Sequence, residues 1–170
     1  MLRSPAILLT LILEVMVGLI VAKFAGTLEK HILLASFMPV LSSLSGNIGL
    51  QASTSTLRAL ATGHASHSTG RGIKKTIIRE LGSALFISVA LGCILFLVGW
   101  IWSGSIGFGT VTALSVLCAA SFAGIIGCLS PIIFKKLQFD PAVTAGPFET
   151  AIQDLIGITL YLTFATVFLS

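Results

Sequence analysis

Long apolar stretches dominate this chain, and short polar segments separate them. Stretches that exceed the roughly 20 residues needed to cross a bilayer core mark five predicted spans. They cover approximately residues 5–24, 32–62, 77–102, 109–134 and 140–169. None shows the apolar–polar alternation of barrel strands, so helices are expected throughout. The pattern therefore predicts an all-α integral membrane protein with five transmembrane helices. We expect a single transmembrane domain, residues 1–170, and no soluble regulatory domain.

Composition supports this class and narrows the function. Of the 170 residues, 55% are hydrophobic and only 9% are charged, whereas soluble domains carry about 25% charged residues. No phosphate-binding loop or nucleophile elbow is present, so we do not expect an enzyme. The three cysteines lie in apolar helix interiors without CxxC spacing. Cys93, Cys118 and Cys128 are therefore predicted to be small buried side chains, with no disulfide or metal site.

The basic residues predict the orientation in the cell membrane. An N-terminus in the cytoplasm places eight of the ten Lys and Arg residues inside: Arg3, Arg58, Arg71, Lys74, Lys75, Arg79, Lys135 and Lys136. Only Lys23 and Lys30 then lie outside, which agrees with the positive-inside rule. Five spans would leave the C-terminus extracytoplasmic. The membrane topology explains the net charge of +4. A nucleic-acid partner is therefore not needed to explain that charge, and none is expected.

The second span contains residues that disfavour a regular helix. Pro39 lacks an amide hydrogen, and a serine-rich run ending in Gly46 follows it. We therefore predict a broken second helix. Beyond the break, polar residues recur at helical spacing and form one stripe: Asn47, Gln51, Thr54 or Ser55, and Arg58. Pore lining and helix packing explain such a stripe equally well.

Asp154 is the residue that most needs an explanation. It lies thirteen residues beyond Pro141, which places it about 20 Å into the membrane at 1.5 Å per residue. A carboxylate at that depth costs roughly 2.5–3.5 kcal/mol on insertion scales, so it must face water, a cation or a partner. Thr150 lies one turn earlier on the same helix face. Asp140, by contrast, is predicted to cap the start of this helix, with Pro141 in its first turn.

Two further acids lie well away from the ends of predicted spans. Glu149 is five residues from Asp154, so their side chains diverge by about 140° and do not hold one ion together within a subunit. Glu149 can face a vestibule, bond a neighbouring helix or carry a proton. Glu14 has either a functional role or a protonated or hydrogen-bonded contact with a neighbouring helix. Three membrane acids without a clear embedded base suggest external cations. His64 and His67 are predicted to be a solvated loop pair rather than a metal or pH sensor.

Two motifs make the chain resemble the MgtE family of magnesium channels and transporters, which is related to solute carrier family 41. The first has the form P…GN…Q…R, and its residues here are Pro39, Gly46, Asn47, Gln51 and Arg58. The second has the form DPA…P…D, matched by Asp140, Pro141, Ala142, Pro147 and Asp154. Their order, spacing and membrane placement agree with the family, and the five-span plan covers essentially the whole chain.

The resemblance implies a homodimer in the lipid bilayer, with a cation pathway on the two-fold axis lined by the second and fifth spans. Asp154 matches the central pore aspartate, and Asn47 and Gln51 match the polar segment beside it. Carboxylates paired across the axis suit the hydrated Mg²⁺ ion, whose water shell amides and hydroxyls can bond. The predicted metal-site residues are Asp154, Thr150, Asn47, Gln51 and Glu149.

The sequence thus predicts a divalent-cation channel or transporter that prefers Mg²⁺. Oxygen ligands alone do not distinguish Mg²⁺ from Mn²⁺, Co²⁺ or Ca²⁺. The preference for Mg²⁺ comes from the resemblance. The alternative function is a proton-coupled secondary transporter of divalent cations, with Glu149 or Glu14 carrying the proton. A third possibility, a structural subunit without transport, leaves Asp154 unexplained.

Overall fold

The computed structural model describes residues 3–62, 70–138 and 141–169, and in these ranges the chain forms six α-helices and no strand. In chain order the helices are α1 (Arg3–Lys23), α2 (Ala25–Lys30), α3 (Leu33–Ala61), α4 (Gly70–Ser103), α5 (Ile106–Lys136) and α6 (Pro141–Leu169). The all-α prediction is confirmed. The predicted capping residue Asp140 and the histidine pair His64 and His67 lie outside the described residues.

Within the described ranges, four segments are long and apolar enough to cross a membrane. They are Leu33–Ala61, Lys74–Ser103, Ile106–Lys136 and Phe148–Leu169. The helix α1 matches the first predicted span and has 21 residues, but it is not among these four. The five-span count therefore stays a prediction. Exposed large apolar side chains on α1 and α4, such as Leu19 and Phe86, agree with a surface that faces lipid.

The helix α5 lies at the centre of the bundle and packs against α3, α4 and α6, whereas α1 packs against α6 and the short α2. Small buried residues on α5, including Ala119, Ala120 and Ala123, let the neighbouring helices approach closely. Between α4 and α5 the chain turns at Gly104, whose φ of 69° suits a residue without a side chain. The hydroxyl of Ser105 then caps α5 by accepting a hydrogen bond from the amide of Phe108 at 3.4 Å.

The apolar core joins α3, α5 and α6 near the end of the bundle where α2 lies. The rings of Phe37 and Phe108 meet edge to face at 5.3 Å. Tyr161 is fully buried, and its hydroxyl donates to the carbonyl oxygen of Leu34 at 3.1 Å. Because this bond spans from α6 to α3, it fixes the position of the two helices that carry the candidate site.

The prediction of a broken second helix is wrong, because α3 runs without interruption from Leu33 to Ala61 with Pro39 inside it. The proline is the seventh residue of α3, where it removes one hydrogen bond to the carbonyl four residues earlier but does not end the helix. Serine also bonds locally: the hydroxyl of Ser45 donates to the carbonyl oxygens of Leu41 at 2.9 Å and Ser42 at 3.1 Å. Packing against α5 and α6 then outweighs the weak helix propensity of the run.

The basic side chains lie in two groups, one at each end of the bundle. Lys135 and Lys136 are in the last turn of α5, and Arg58 is in the last turn of α3. Lys23 and Lys30 end α1 and α2 at the opposite side. The asymmetry that the positive-inside rule requires is therefore present, while the direction of the chain in the membrane stays a prediction.

Candidate functional site

Asp154 lies near the middle of α6, and its half-buried carboxylate faces α3. The hydroxyl of Ser42 on α3 donates to Oδ1 of Asp154 at 2.5 Å. A hydrogen bond to a charged acceptor is stronger than a neutral one and fixes the orientation of the carboxylate. Ser42 was recognised in the sequence only as part of a weak helix-forming run, since nothing in its spacing links it to a residue 112 positions later.

The helices α3 and α6 run antiparallel and are also in contact one turn further along. A Cβ added to Gly46 would lie 3.9 Å from Cγ2 of Thr150, so Thr150 lies beside α3 one turn away from the contact between Ser42 and Asp154. The hydroxyl of Thr150 is exposed and donates to the carbonyl oxygen of Gly146 at 3.0 Å. Its oxygen remains able to accept a hydrogen bond from water. Thr150 and Asp154 therefore present oxygen atoms along one side of α6, as their spacing predicted.

The polar stripe predicted on α3 forms a groove on the outer face of the helix bundle. The groove has a volume of about 330 Å³ and is lined by Asn47, Leu50, Gln51, Thr54, Ser55 and Arg58. Asn47, Gln51, Thr54 and Arg58 are exposed, so the stripe is not a seam where helices of this chain pack together. At one end of the groove, the hydroxyl of Ser55 donates to the Glu80 carboxylate at 2.8 Å. Arg79 forms a salt bridge with that carboxylate at 3.1 Å.

Glu149, unlike Asp154, lies inside the subunit, with 1% of its surface exposed. Its carboxylate accepts hydrogen bonds at 3.1 Å from the hydroxyl of Ser130 on α5 and from the amide of Gln153 on α6. Ser53 on α3 is a further hydrogen-bond partner. Of the roles open to Glu149 in the sequence, the structure shows the bond to neighbouring helices. It does not bring Glu149 to the α3 groove, and its contact with a cation stays a prediction.

Two glycines create the space for this interior network. A Cβ on Gly127 of α5 would come within 2.7 Å of Oε1 of Glu149 and even closer to the carbonyl oxygen of Gly49 on α3. The Gln153 side chain packs where a Cβ on Gly49 would be. Its buried Oε1 is the only described buried side-chain N or O atom without a hydrogen-bond partner. The three helices therefore meet here through backbone contact and a buried carboxylate.

The remaining residues singled out in the sequence are Glu14 and the three cysteines. Glu14 lies on α1, which packs on α6, and its carboxyl group interacts electrostatically with that of Asp154. The three cysteines are free, and Cys128 is buried and accepts a hydrogen bond from Thr56 at 3.4 Å. Cys93 is exposed and Cys118 is only partly buried, so the prediction that all three are buried was wrong. In the described part of the chain, no three His, Cys, Asp or Glu side chains are close enough to hold a metal ion by themselves. A cation held beside Asp154 by this chain would therefore take its further ligands from hydroxyl, amide or water oxygens.

Comparison with known proteins gives a consistent result. The family model of MgtE, described as a divalent cation transporter, matches residues 38–164 and thus includes both the α3 groove and Asp154. The chain is 31% identical over 167 residues to magnesium transporter MgtE of Bacillus subtilis, covering 98% of this chain and 36% of that protein. It is 32% identical over 164 residues to magnesium transporter MgtE of Thermus thermophilus, covering 94% and 35%. The chain spans about a third of the length of these relatives.

Proposed function

The chain belongs to the MgtE family, as its two motifs predicted, and on this premise we propose that it moves divalent cations across a membrane, with Mg²⁺ preferred. The pathway lies on the two-fold axis of a homodimer and is lined by α3 and α6. The observation that carries the proposal is the half-buried carboxylate of Asp154, which is held by Ser42 near the middle of an apolar helix. The relatives that carry the name magnesium transporter support the choice of ion.

The α3 groove supports a dimer. Exposed polar side chains such as Asn47, Gln51 and Arg58 are costly against lipid, because hydrocarbon offers them no hydrogen bonds. A second copy that covers this face keeps them in contact with water or protein. Two-fold symmetry brings the same surface of each subunit together. The Asp154 carboxylates then approach each other across the axis.

The chemistry of this arrangement suits a hydrated dication. Mg²⁺ gives up its octahedral water shell reluctantly, so two carboxylates can neutralise its charge while neutral groups bond its waters. Thr150, Asn47 and Gln51 provide hydroxyl and amide oxygens for that shell. In this proposal Asp154 is the central ligand, Ser42 orients it, and Glu149 positions α6 from inside the subunit. Mn²⁺, Co²⁺ and Ca²⁺ are competing cargoes to be compared with Mg²⁺.

The test is Mg²⁺ flux into liposomes that contain purified protein with Asp154→Asn. Asparagine keeps the shape of the side chain and an oxygen for Ser42 but removes the charge. We expect an affinity loss of at least roughly 10- to 100-fold, the range for groups that only orient a metal ligand, with the dimer intact by size-exclusion chromatography. Glu29→Gln is the matched acid-to-amide control on an exposed residue of α2 and should leave flux unchanged. Normal flux through a stable Asp154→Asn dimer would contradict the proposal.

The same liposomes separate a channel from a proton-coupled carrier. A channel gives Mg²⁺ flux that follows the electrochemical gradient and persists when the internal and external pH are equal. A coupled carrier changes the rate or direction of flux when the pH gradient is reversed. We propose the channel first, because the hydrogen-bonded position of Glu149 inside the bundle leaves it away from the α3 groove.

A further inference from the structure

The corner formed by α2 carries a second polar feature that cation transport does not use. This short helix connects α1 to α3 and is tied to the end of α6 by two hydrogen bonds. The hydroxyls of Thr27 and Thr166 are 2.8 Å apart. Nε2 of His31 is 3.1 Å from the carbonyl oxygen of Leu169. Because both bonds join residues more than 130 positions apart, the corner is fixed by tertiary structure.

A pocket of about 350 Å³ opens at this corner. Lys23 and Lys30 line it together with His31 and Thr27, while Phe24 and Leu169 provide its apolar part. No carboxylate of the described residues lines the pocket, since the nearby Glu29 is not among its lining residues. The one salt bridge found in the described ranges joins Arg79 to Glu80, at the other end of the bundle. Two lysines therefore line a pocket to which no described residue contributes a carboxylate, and this favours an anionic ligand.

The surface beside the pocket indicates what carries that anion. Leu19 on α1 and Val167 and Phe168 on α6 are 62%, 66% and 55% exposed. They lie within the last turns before the corner, on the helices that the pocket joins. Lysines at helix ends reach the headgroup layer of a bilayer while apolar residues below them contact acyl chains. A ligand with a phosphate at one end and acyl chains at the other fits both parts.

We propose that the α2 corner binds the headgroup of an anionic phospholipid. Lys23 and Lys30 contact the phosphate, Thr27 and His31 offer further polar contacts, and the acyl chains lie along α1 and α6. The basic cluster on α4, whose side chains the structure describes, does not form a comparable site. Lys74, Lys75 and Arg79 lie along a single exposed stretch of α4, and their pocket is lined by that helix alone. The proposal is independent of cation transport.

Native mass spectrometry of the purified protein tests this site in detergent without Mg²⁺. The probe is phosphatidylglycerol, with zwitterionic phosphatidylcholine as its uncharged counterpart. In the Lys23→Gln/Lys30→Gln variant we expect phosphatidylglycerol affinity to fall roughly 30-fold, at about 1 kcal/mol for each lysine near an anionic surface. The matched control, Lys74→Gln/Lys75→Gln, removes the same charge from α4 and should change affinity less than about threefold. Phosphatidylcholine binding should be equal in all three proteins.

Several results would overturn the proposal. Equal losses in the two double variants would show general attraction to positive charge. Displacement of phosphatidylglycerol from the unmodified protein by millimolar inorganic phosphate, with loss of that competition in the corner variant, would show a free-phosphate site instead. If the double variant loses its helical circular dichroism, the single variants Lys23→Gln and Lys30→Gln replace it. Each should then weaken phosphatidylglycerol roughly fivefold, and no change in either would reject the site.

Discussion

Asp154 and Glu149 are two acids on one helix, five residues apart, yet their surroundings are opposite. Asp154 is half-buried, and among the described residues its carboxylate accepts a hydrogen bond from one side chain, Ser42 on α3. Glu149 is almost fully buried and is bonded by partners on α3, α5 and α6. The first can exchange its hydrogen bond for a cation, whereas the second joins helices. The comparison shows that neighbouring helices can give two acids on one helix opposite surroundings. In our proposal the first acid serves transport and the second serves assembly.

The physical origin of this difference is the close approach of α3 and α5 at Gly49 and Gly127. At this point the Glu149 side of α6 faces the contact between α3 and α5, inside the bundle. The Asp154 side is then directed along α3 at Ser42, away from the network around Glu149. Substitutions at either acid, or at the contact between Gly49 and Gly127, should show which residues are needed for folding and which for transport.

The largest effect is expected for Gly127→Val. The added side chain would collide with the Gly49 carbonyl oxygen and the Glu149 carboxylate, and backbone cannot move aside as a flexible side chain can. We expect the free energy of unfolding in detergent to fall by about 3 kcal/mol, the upper part of the range for overpacking. Gly18→Val on α1 is the control, because nothing lies within 4 Å of a Cβ there. Equal stability of the two variants in chemical denaturation would show that the contact is not tight.

A smaller effect is expected for Glu149→Ala, which leaves Ser130, Gln153 and Ser53 without their shared partner. Unpaired buried polar groups cost about 1–3 kcal/mol, so denaturant unfolding should shift by that amount. Glu149→Gln keeps the size and most of the hydrogen bonds and should lose less. Retention of Mg²⁺ flux by a folded Glu149→Gln protein would support an assembly role. Complete loss of flux with normal stability would instead move Glu149 into the cation pathway.

The smallest effect is expected for Ser42→Ala. The Asp154 carboxylate keeps its charge but loses the hydroxyl that orients it, so the concentration for half-maximal Mg²⁺ flux should rise up to about 10-fold. Ser43→Ala is the control, because Ser43 is the adjacent exposed serine on α3. Stability should be the same for both variants. A flux curve for Ser42→Ala that overlays the control would mean that Asp154 is oriented by other contacts.

Much of the fold could be predicted from the sequence. Apolar length gave the helical class and the approximate position of each long helix, since a bilayer limits a chain of this composition to few solutions. Spacing gave the α3 stripe and the side of α6 that carries Thr150 and Asp154. The break expected after Pro39 was wrong, because propensity is local and weak, whereas packing on α5 and α6 holds α3 together.

The candidate site could be predicted less completely. Asp154 was identified because an acid in an apolar span is costly wherever it lies. Its partner Ser42 and the interior position of Glu149 could not be predicted, since both depend on residues more than 15 positions away. A periodic pattern reports which residues share a face of one helix. It does not report how that helix is rotated relative to its neighbours.

The sequence by itself determined that this chain is a helical membrane protein with an acid at the centre of its last helix and a polar stripe on α3. Those properties follow from composition and from a helical repeat that needs no neighbours. Only the tertiary structure decided that α3 is continuous, that Asp154 meets Ser42, and that Glu149 is enclosed by three helices. Contacts between distant segments made these choices, because close packing at two glycines sets the relative rotation of the helices.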